Sequence, residues 1–240
     1  MKNLLSENFF RLTKSLVTWI GIFLTIFFTI IGNSVYVGND KAYIDEWFFS
    51  GIIFVNLIAS AVLGLYFFRD CSNGTLRLKI ATGNNRTTVF LSNFITSTGY
   101  YFVLTVVNIG TNLVMYQLTE LSSMGFNQKA ACAGIAFMFF IAVSSAAITT
   151  LIGMSLQTVL CAIVPVLLNM VMYIIVIFIS SDKDAPIVKF ITEALPFGQT
   201  NYLSCITIPS RYNLMLLYTT IVIAVVLFTG NIIFKKLDLK

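Results

Sequence analysis

Few side chains in this 240-residue chain are equipped for chemistry. There is no histidine, which removes the commonest general base and the commonest metal ligand. Ser144 and Ser145 sit in an apolar stretch with no base to activate a hydroxyl, and the acids fall in loops or at the ends of apolar runs. Asp182 and Asp184 are the one acidic pair in a loop that could hold a metal; just before Pro186, they read better as a solvated turn. No G-x-x-x-x-G-K-[ST] phosphate loop is present, so if ATP drives this protein another chain binds it. The four cysteines, Cys71, Cys132, Cys161 and Cys205, form no C-x-x-C pair; nothing in their spacing joins Cys132 to Cys205, and they read as free thiols. What is left is one polar island, residues 67–86, which sets Arg69, Arg77, Lys79 and Arg86 against a single acid, Asp70. The chemistry open to it is recognition: a basic loop that fixes membrane orientation, or a short helix offered to a soluble partner.

The elements around the island must be apolar helices. Hydrophobic residues make up 58% of the chain and charged residues 10%, against about a quarter charged in soluble domains. Several apolar runs approach the roughly 20 residues that span a bilayer, so the chain reads as a multi-pass membrane protein. Residues 1–240 read as one membrane domain with no separable soluble module, and the first apolar run as a span, not a cleaved signal. The net charge of +5 has no soluble basic face to serve, which argues against nucleic acid as a partner.

Six spans are predicted, over residues 16–37, 47–68, 89–118, 130–156, 159–180 and 212–234. Ahead of them Leu5, Phe9, Leu12 and Leu16 recur on one helical face between Lys2, Arg11 and Lys14, which predicts an interfacial helix over residues 1–15. Ser145, Thr149 and Gly153 recur every four residues, so the fourth span should lie centrally, in close contact with its neighbours. Only a tight connection separates it from the fifth, where Pro165 frees a backbone carbonyl and Asn169 lies one turn on to satisfy freed groups. Asn56, Asn108, Asn112 and Asn169 are polar points inside spans, fit either for bonds between helices or for a polar strip in a substrate path. Residues 181–211 form the longest polar connection, with helical spacing at Ile187, Phe190, Ile191 and Ala194 and too little length to span; short outer helices are expected there.

Charge placement orients the chain. With both termini inside, ten of the 15 Lys and Arg fall on the inner side, at Lys2, Arg11, Lys14, the four island positions, Lys235, Lys236 and Lys240. Seven of the ten acids fall outside, and the positive-inside rule then puts the termini and the island in the cytoplasm. No span carries an ionisable group near its middle, unlike most ion-coupled carriers.

Within the island, Asp70 is placed to cap a helix starting near Cys71 or Ser72, and Gly74 and Gly83 bracket two turns over residues 75–82. Arg77 and Lys79 then point to different faces with Leu76, Leu78 and Ile80 between them, as a helix docking into a groove would need. The order Phe67-x-x-Asp70-x-x-x-Gly74-Thr75-Leu76-Arg77-x-Lys79-Ile80-x-x-Gly83-x-x-Arg86, between the second and third of six spans, resembles the ABC-2 type transporter permeases. In that family an acid, usually Glu where this chain has Asp70, precedes Gly-Thr by four, and a Gly/Ser-x-Arg step follows that Gly83 to Arg86 resembles. The resemblance extends to the layout as a whole, and the small size resembles bacterial peptide-export and bacteriocin- or bacitracin-immunity permeases.

The resemblance implies an all-α membrane fold in which residues 69–88 form the coupling helix that contacts a cytoplasmic ATPase. It implies Asp70, Gly74, Thr75, Leu76, Arg77, Lys79, Ile80, Gly83 and Arg86 as coupling residues. The expected partners are ABC ATPase subunits, a second permease chain and the bilayer, with ATP and Mg bound on the ATPase and no cofactor on this chain. The expected role is that of a transport subunit, not an enzyme, in the bacterial cytoplasmic membrane, exporting amphipathic or antimicrobial peptides or other apolar cargo. An ATP-independent carrier or a membrane-embedded enzyme is the alternative.

Overall fold

A computed structural model describes residues 1–34, 51–118, 128–180, 190, 193–196, 198–200 and 212–237. The described residues are helical: α1 (Lys2–Lys14), α2 (Leu16–Ser34), α3 (Ile52–Ser72), α4 (Thr75–Ala81), α5 (Arg86–Leu118), α6 (Gln128–Leu156), α7 (Leu160–Ser180) and α8 (Tyr212–Lys236). Five stretches are long and apolar enough to cross a membrane: Leu16–Ser34, Ile52–Ser72, Arg86–Leu118, Cys132–Leu156 and Tyr212–Lys236. The chain thus has the build of a multi-pass membrane protein. Residues 35–50 and 119–127, the Asp182/Asp184 pair, Cys205 and most of 181–211 lie outside the described residues.

The long helices turn many large apolar side chains outward and gather hydroxyls and amides inside, beside a buried apolar core. On α2, Gly21, Thr25, Thr29 and Asn33 recur every four residues and are buried, while Trp19, Phe23, Phe27 and Ile31 face outward. Lipid solvates the outer face at no cost, so the groups needing a hydrogen bond turn inward. Thr25 and Thr29 donate to the carbonyls one turn back, Asn108 of α5 donates to Thr29 Oγ1 at 2.9 Å, and Asn33 donates to Asn112 at 2.7 Å.

α1 and α2 are separate helices because Ser15 is extended, at φ −76° and ψ 126°. The open carbonyls at the end of α1 are closed from the next helix: Thr18 donates to Leu12 O at 2.7 Å and Trp19 Nε1 to Thr13 O at 3.0 Å. The face that α1 packs into the bundle lies beside the apolar stripe read from the sequence. It runs through Leu4, Asn8 and Leu12, leaving Leu5 and Phe9 at its margin and Leu16 exposed. Tertiary bonding by Asn8 rotates the helix from its purely apolar stripe.

The centre of the bundle is shared. α6 packs against α3, α5, α7 and α8, as the small-residue spacing predicts, and α3 packs against α2, α4, α5, α6 and α7. Gly153 of α6 receives the Phe67 ring of α3, and Thr149 shares a 3.1 Å bond with Tyr101 of α5. α6 and α7 form the expected hairpin through Gln157, which takes a left-handed φ of 46°. Asn169 Nδ2 donates to the carbonyl of Pro165 itself at 2.8 Å, not to the carbonyl a turn earlier. That earlier carbonyl, on Cys161, lies over Gly64 of α3. A methyl group at Gly64 would sit 2.8 Å from Ala162 Cα and 3.0 Å from Cys161 O, both backbone atoms that cannot step aside. Gly64→Val should therefore lower the thermal midpoint of the purified protein, with an overpacking cost of about 1–3 kcal/mol. An unchanged melting curve would show that α3 and α7 do not pack this closely.

Candidate functional site

The island folds as two glycine-marked turns around a short helix. α3 does not stop at Asp70 but runs to Ser72, and its end is closed by the N–H of Asn73 on Arg69 O. Gly74 follows at φ +65°, where a side chain is strained, and donates to Cys71 O. α4 then covers Thr75–Ala81, close to the expected 75–82. Gly83 at φ +90° ends it, Asn84 Nδ2 donates to Lys79 O at 2.9 Å, and α5 begins at Arg86.

Asp70 is not the cap of that helix. The N-cap is Gly74, with no side-chain bond, and Asp70 touches α4 at this end only through its carbonyl, which accepts from Thr75 Oγ1 at 3.1 Å. The Asp70 carboxylate is fully buried and bridges two cations: Arg11 Nη2 of α1 donates to Oδ1, and Lys79 Nζ of α4 lies 3.3 Å from Oδ2. Lys79 is also buried, and donates to Asn8 Oδ1 at 2.6 Å. Asn8 Nδ2 donates in turn to Asn93 Oδ1 at 2.9 Å and Ser92 Oγ at 3.4 Å, and Asn93 Nδ2 to Met154 Sδ at 3.5 Å. One chain of bonds therefore joins α1, α3, α4, α5 and α6 (a latch on the short helix). Burial alone would pull the Arg11 pKa down, but the charge and hydrogen bond of Asp70, helped by Tyr66 and Glu7, lift it above its ordinary value. Arg11 is a fixed cation.

The latch divides the island residues into two sets. Leu76 and Lys79 face inward and Ile80 is half-buried, so they hold α4 down and are not the free knobs and arms of a docking surface. Arg77, Leu78, Ala81, Thr82 and Gly83 are exposed, with Leu78 at 63% the most prominent apolar side chain. Arg86 belongs to a third place. Its Nη1 donates to the carbonyls of Lys235 at 3.0 Å and Leu237 at 2.6 Å, with Phe234 O at 3.3 Å. A cation there closes open carbonyls and complements the helix dipole, binding the start of α5 to the end of α8.

The four intraspan asparagines also separate. Asn108 and Asn112 are buried and tied to Thr29 and Asn33, which makes them bonds between α2 and α5. Asn56 and Asn169 line one cavity of about 370 Å³ between α3 and α7, with Phe54, Leu57, Met170 and Thr200. Asn56 Nδ2 is buried there and makes no hydrogen bond.

Asn8, Ser92 and Asn93 are absent from the residues that sequence reasoning singles out, and Arg11 enters there only as a basic flank of the interfacial helix and an orienting charge. The available signal was Asn8 at the centre of a Leu4–Asn8–Leu12 spacing: an amide on an apolar face needs a partner. The chain matches no model of a known protein family and no curated protein.

Proposed function

We propose that this chain is the membrane subunit of an ATP-driven exporter of the ABC-2 type, with α4 as the handle for a separate cytoplasmic ATPase. The observation that carries this reading is α4 itself, a two-turn helix fastened from behind by Asp70, Lys79 and Asn8 while Arg77 and Leu78 stand outward. A loop that only fixed orientation would have no need of a buried latch reaching four other helices. A handle does, because a push on a loosely held helix is lost as local motion. The bond chain offers a route from α4 into α3, α5 and α6, and Arg86 extends it to α8.

In this reading α7 also crosses, as the fifth of six spans, the termini and α4 are cytoplasmic, and α1 lies at the membrane surface. The cavity at Asn56 and Asn169 is part of the cargo path. Its mostly apolar walls, with an unmatched amide donor, suit apolar or amphipathic cargo such as peptides. A second permease chain, the same or different, completes the path.

Affinity purification of the chain from its native membrane should bring down an ATP-binding subunit, and the pair in liposomes should hydrolyse ATP faster than the ATPase alone. Transport by the purified chain in liposomes without ATP or a second protein would reject the reading in favour of an independent carrier.

A further inference from the structure

The elbow between α1, α2 and α3 holds a cleft of about 320 Å³ that the reading above does not use. Arg11, Lys14 and Arg69 line it, and no Asp or Glu does. Arg11 Nη1 is buried and makes no hydrogen bond; the nearby Glu7 carboxylate is 3.9 Å away, beyond bonding reach. Asp70, behind the cleft, already faces both Arg11 and Lys79, so one buried carboxylate meets two cations. The solvent-facing Glu7 offsets part of this excess, and Lys14 and Arg69 add to it. A donor with no hydrogen bond, held only by a distant carboxylate and set beside two further cations, suits an added anion.

The setting says which anion. The cleft lies where the apolar run of α2 begins, next to Trp19, whose ring is exposed and whose Nε1 is bound back to Thr13 O. Tryptophan at such a place marks headgroup depth in a bilayer. Phe10, Leu16 and Leu65 are exposed around the cleft and face outward as the lipid-facing side chains of α2 do. We infer that this elbow binds the phosphate headgroup of an anionic membrane lipid. Lys14 and Arg69 meet the phosphate, Arg11 adds its charge from behind them, and the acyl chains lie along Leu65 and α2. Basic pockets between membrane helices suit such headgroups. The inference needs the membrane setting but not the ATPase. Because Arg11 also holds Asp70, a bound headgroup would brace the latch from the bilayer side.

Native mass spectrometry of the full chain tests this, with phosphatidylglycerol or phosphatidylcholine of the same acyl chains added to the detergent-purified protein. One phosphatidylglycerol should be retained per chain, preferred by roughly ten-fold or more. Lys14→Gln with Arg69→Gln, two exposed positions that leave the Arg11–Asp70 contact intact, should bring the two lipids level. Lys2→Gln with Lys236→Gln removes the same charge elsewhere and should keep the preference. Equal retention of both lipids by the unaltered chain overturns the inference. So does loss of preference in the Lys2/Lys236 control, which would mean diffuse attraction. Displacement of the lipid by millimolar inorganic phosphate would identify a site for free phosphate and also overturn it.

Discussion

Asp70→Ala should be among the most damaging single substitutions in the chain, costing about 3–5 kcal/mol of stability. The carboxylate is fully buried and balances Arg11 and Lys79 together, so its removal leaves Lys79, at 4% exposure, without a counter-charge and Arg11 with the solvent-facing Glu7 alone. The measurement is a large drop in the thermal midpoint, with faster tryptic cutting after Arg77 as α4 comes away from α1. A partial remedy follows from the same physics. Lys79→Met in the Asp70→Ala background removes one stranded charge while keeping the side-chain length, and should recover part of the loss. If Asp70→Ala melts like the unaltered protein, the latch is not what holds α4.

Leu78→Asp should abolish ATPase stimulation with little change in folding. Leu78 is 63% exposed and belongs to neither buried apolar cluster, so a stability change within about 0.5 kcal/mol is expected. At a docking face the same change buries an unpaired charge, and Arg77→Glu reverses the sign of its neighbour; each should remove stimulated hydrolysis while membrane insertion proceeds normally. Gly74→Pro reaches the same end by another route. Proline holds φ near −65°, opposite in sign to the +65° of Gly74, and removes the N–H that bonds Cys71 O. It should therefore disturb both coupling and protease resistance, where Leu78→Asp disturbs coupling alone. Normal stimulation in the Leu78→Asp protein would mean that α4 is not the docking surface.

The two outcomes separate the two halves of the island. Asp70 and Lys79 act on how α4 is held, Arg77 and Leu78 on what α4 meets. Sequence reasoning groups all four by proximity, and the resemblance groups Asp70, Arg77 and Lys79 as coupling residues without separating them and passes over Leu78. Burial sorts them: a lysine at 4% exposure is an internal fastening, whereas a leucine at 63% invites a partner. Asn108 and Asn112 likewise share a helical face with one another, but only the position of α2 shows that Thr29 and Asn33 meet them.

Much of the fold was legible because helices are written locally. Apolar run lengths gave the long helices to within a few residues at their described ends, Gly74 and Gly83 bracketed α4, and the short Gln157 connection gave the α6–α7 hairpin. These features depend on φ preferences and on the avoidance of bare backbone in lipid, both readable residue by residue. The face that each helix turns inward was less legible. The apolar stripe read on α1 runs through Leu5, Phe9, Leu12 and Leu16, whereas the face it packs into the bundle runs through Leu4, Asn8 and Leu12. Asp70 was expected to cap α4, and is the charge at its back. Both departures have one cause. Hydrogen-bond and charge partners are chosen across 59 to 85 residues of chain, between Arg11 and Asp70 and between Asn8 and Asn93. Sequence determined that a polar, cationic helix would stand between two apolar ones. Only packing α1 against α5 and α3 decided which of its charges are neutralised inside and which stay at the surface, since a buried charge is tolerable only where a partner has been brought to it.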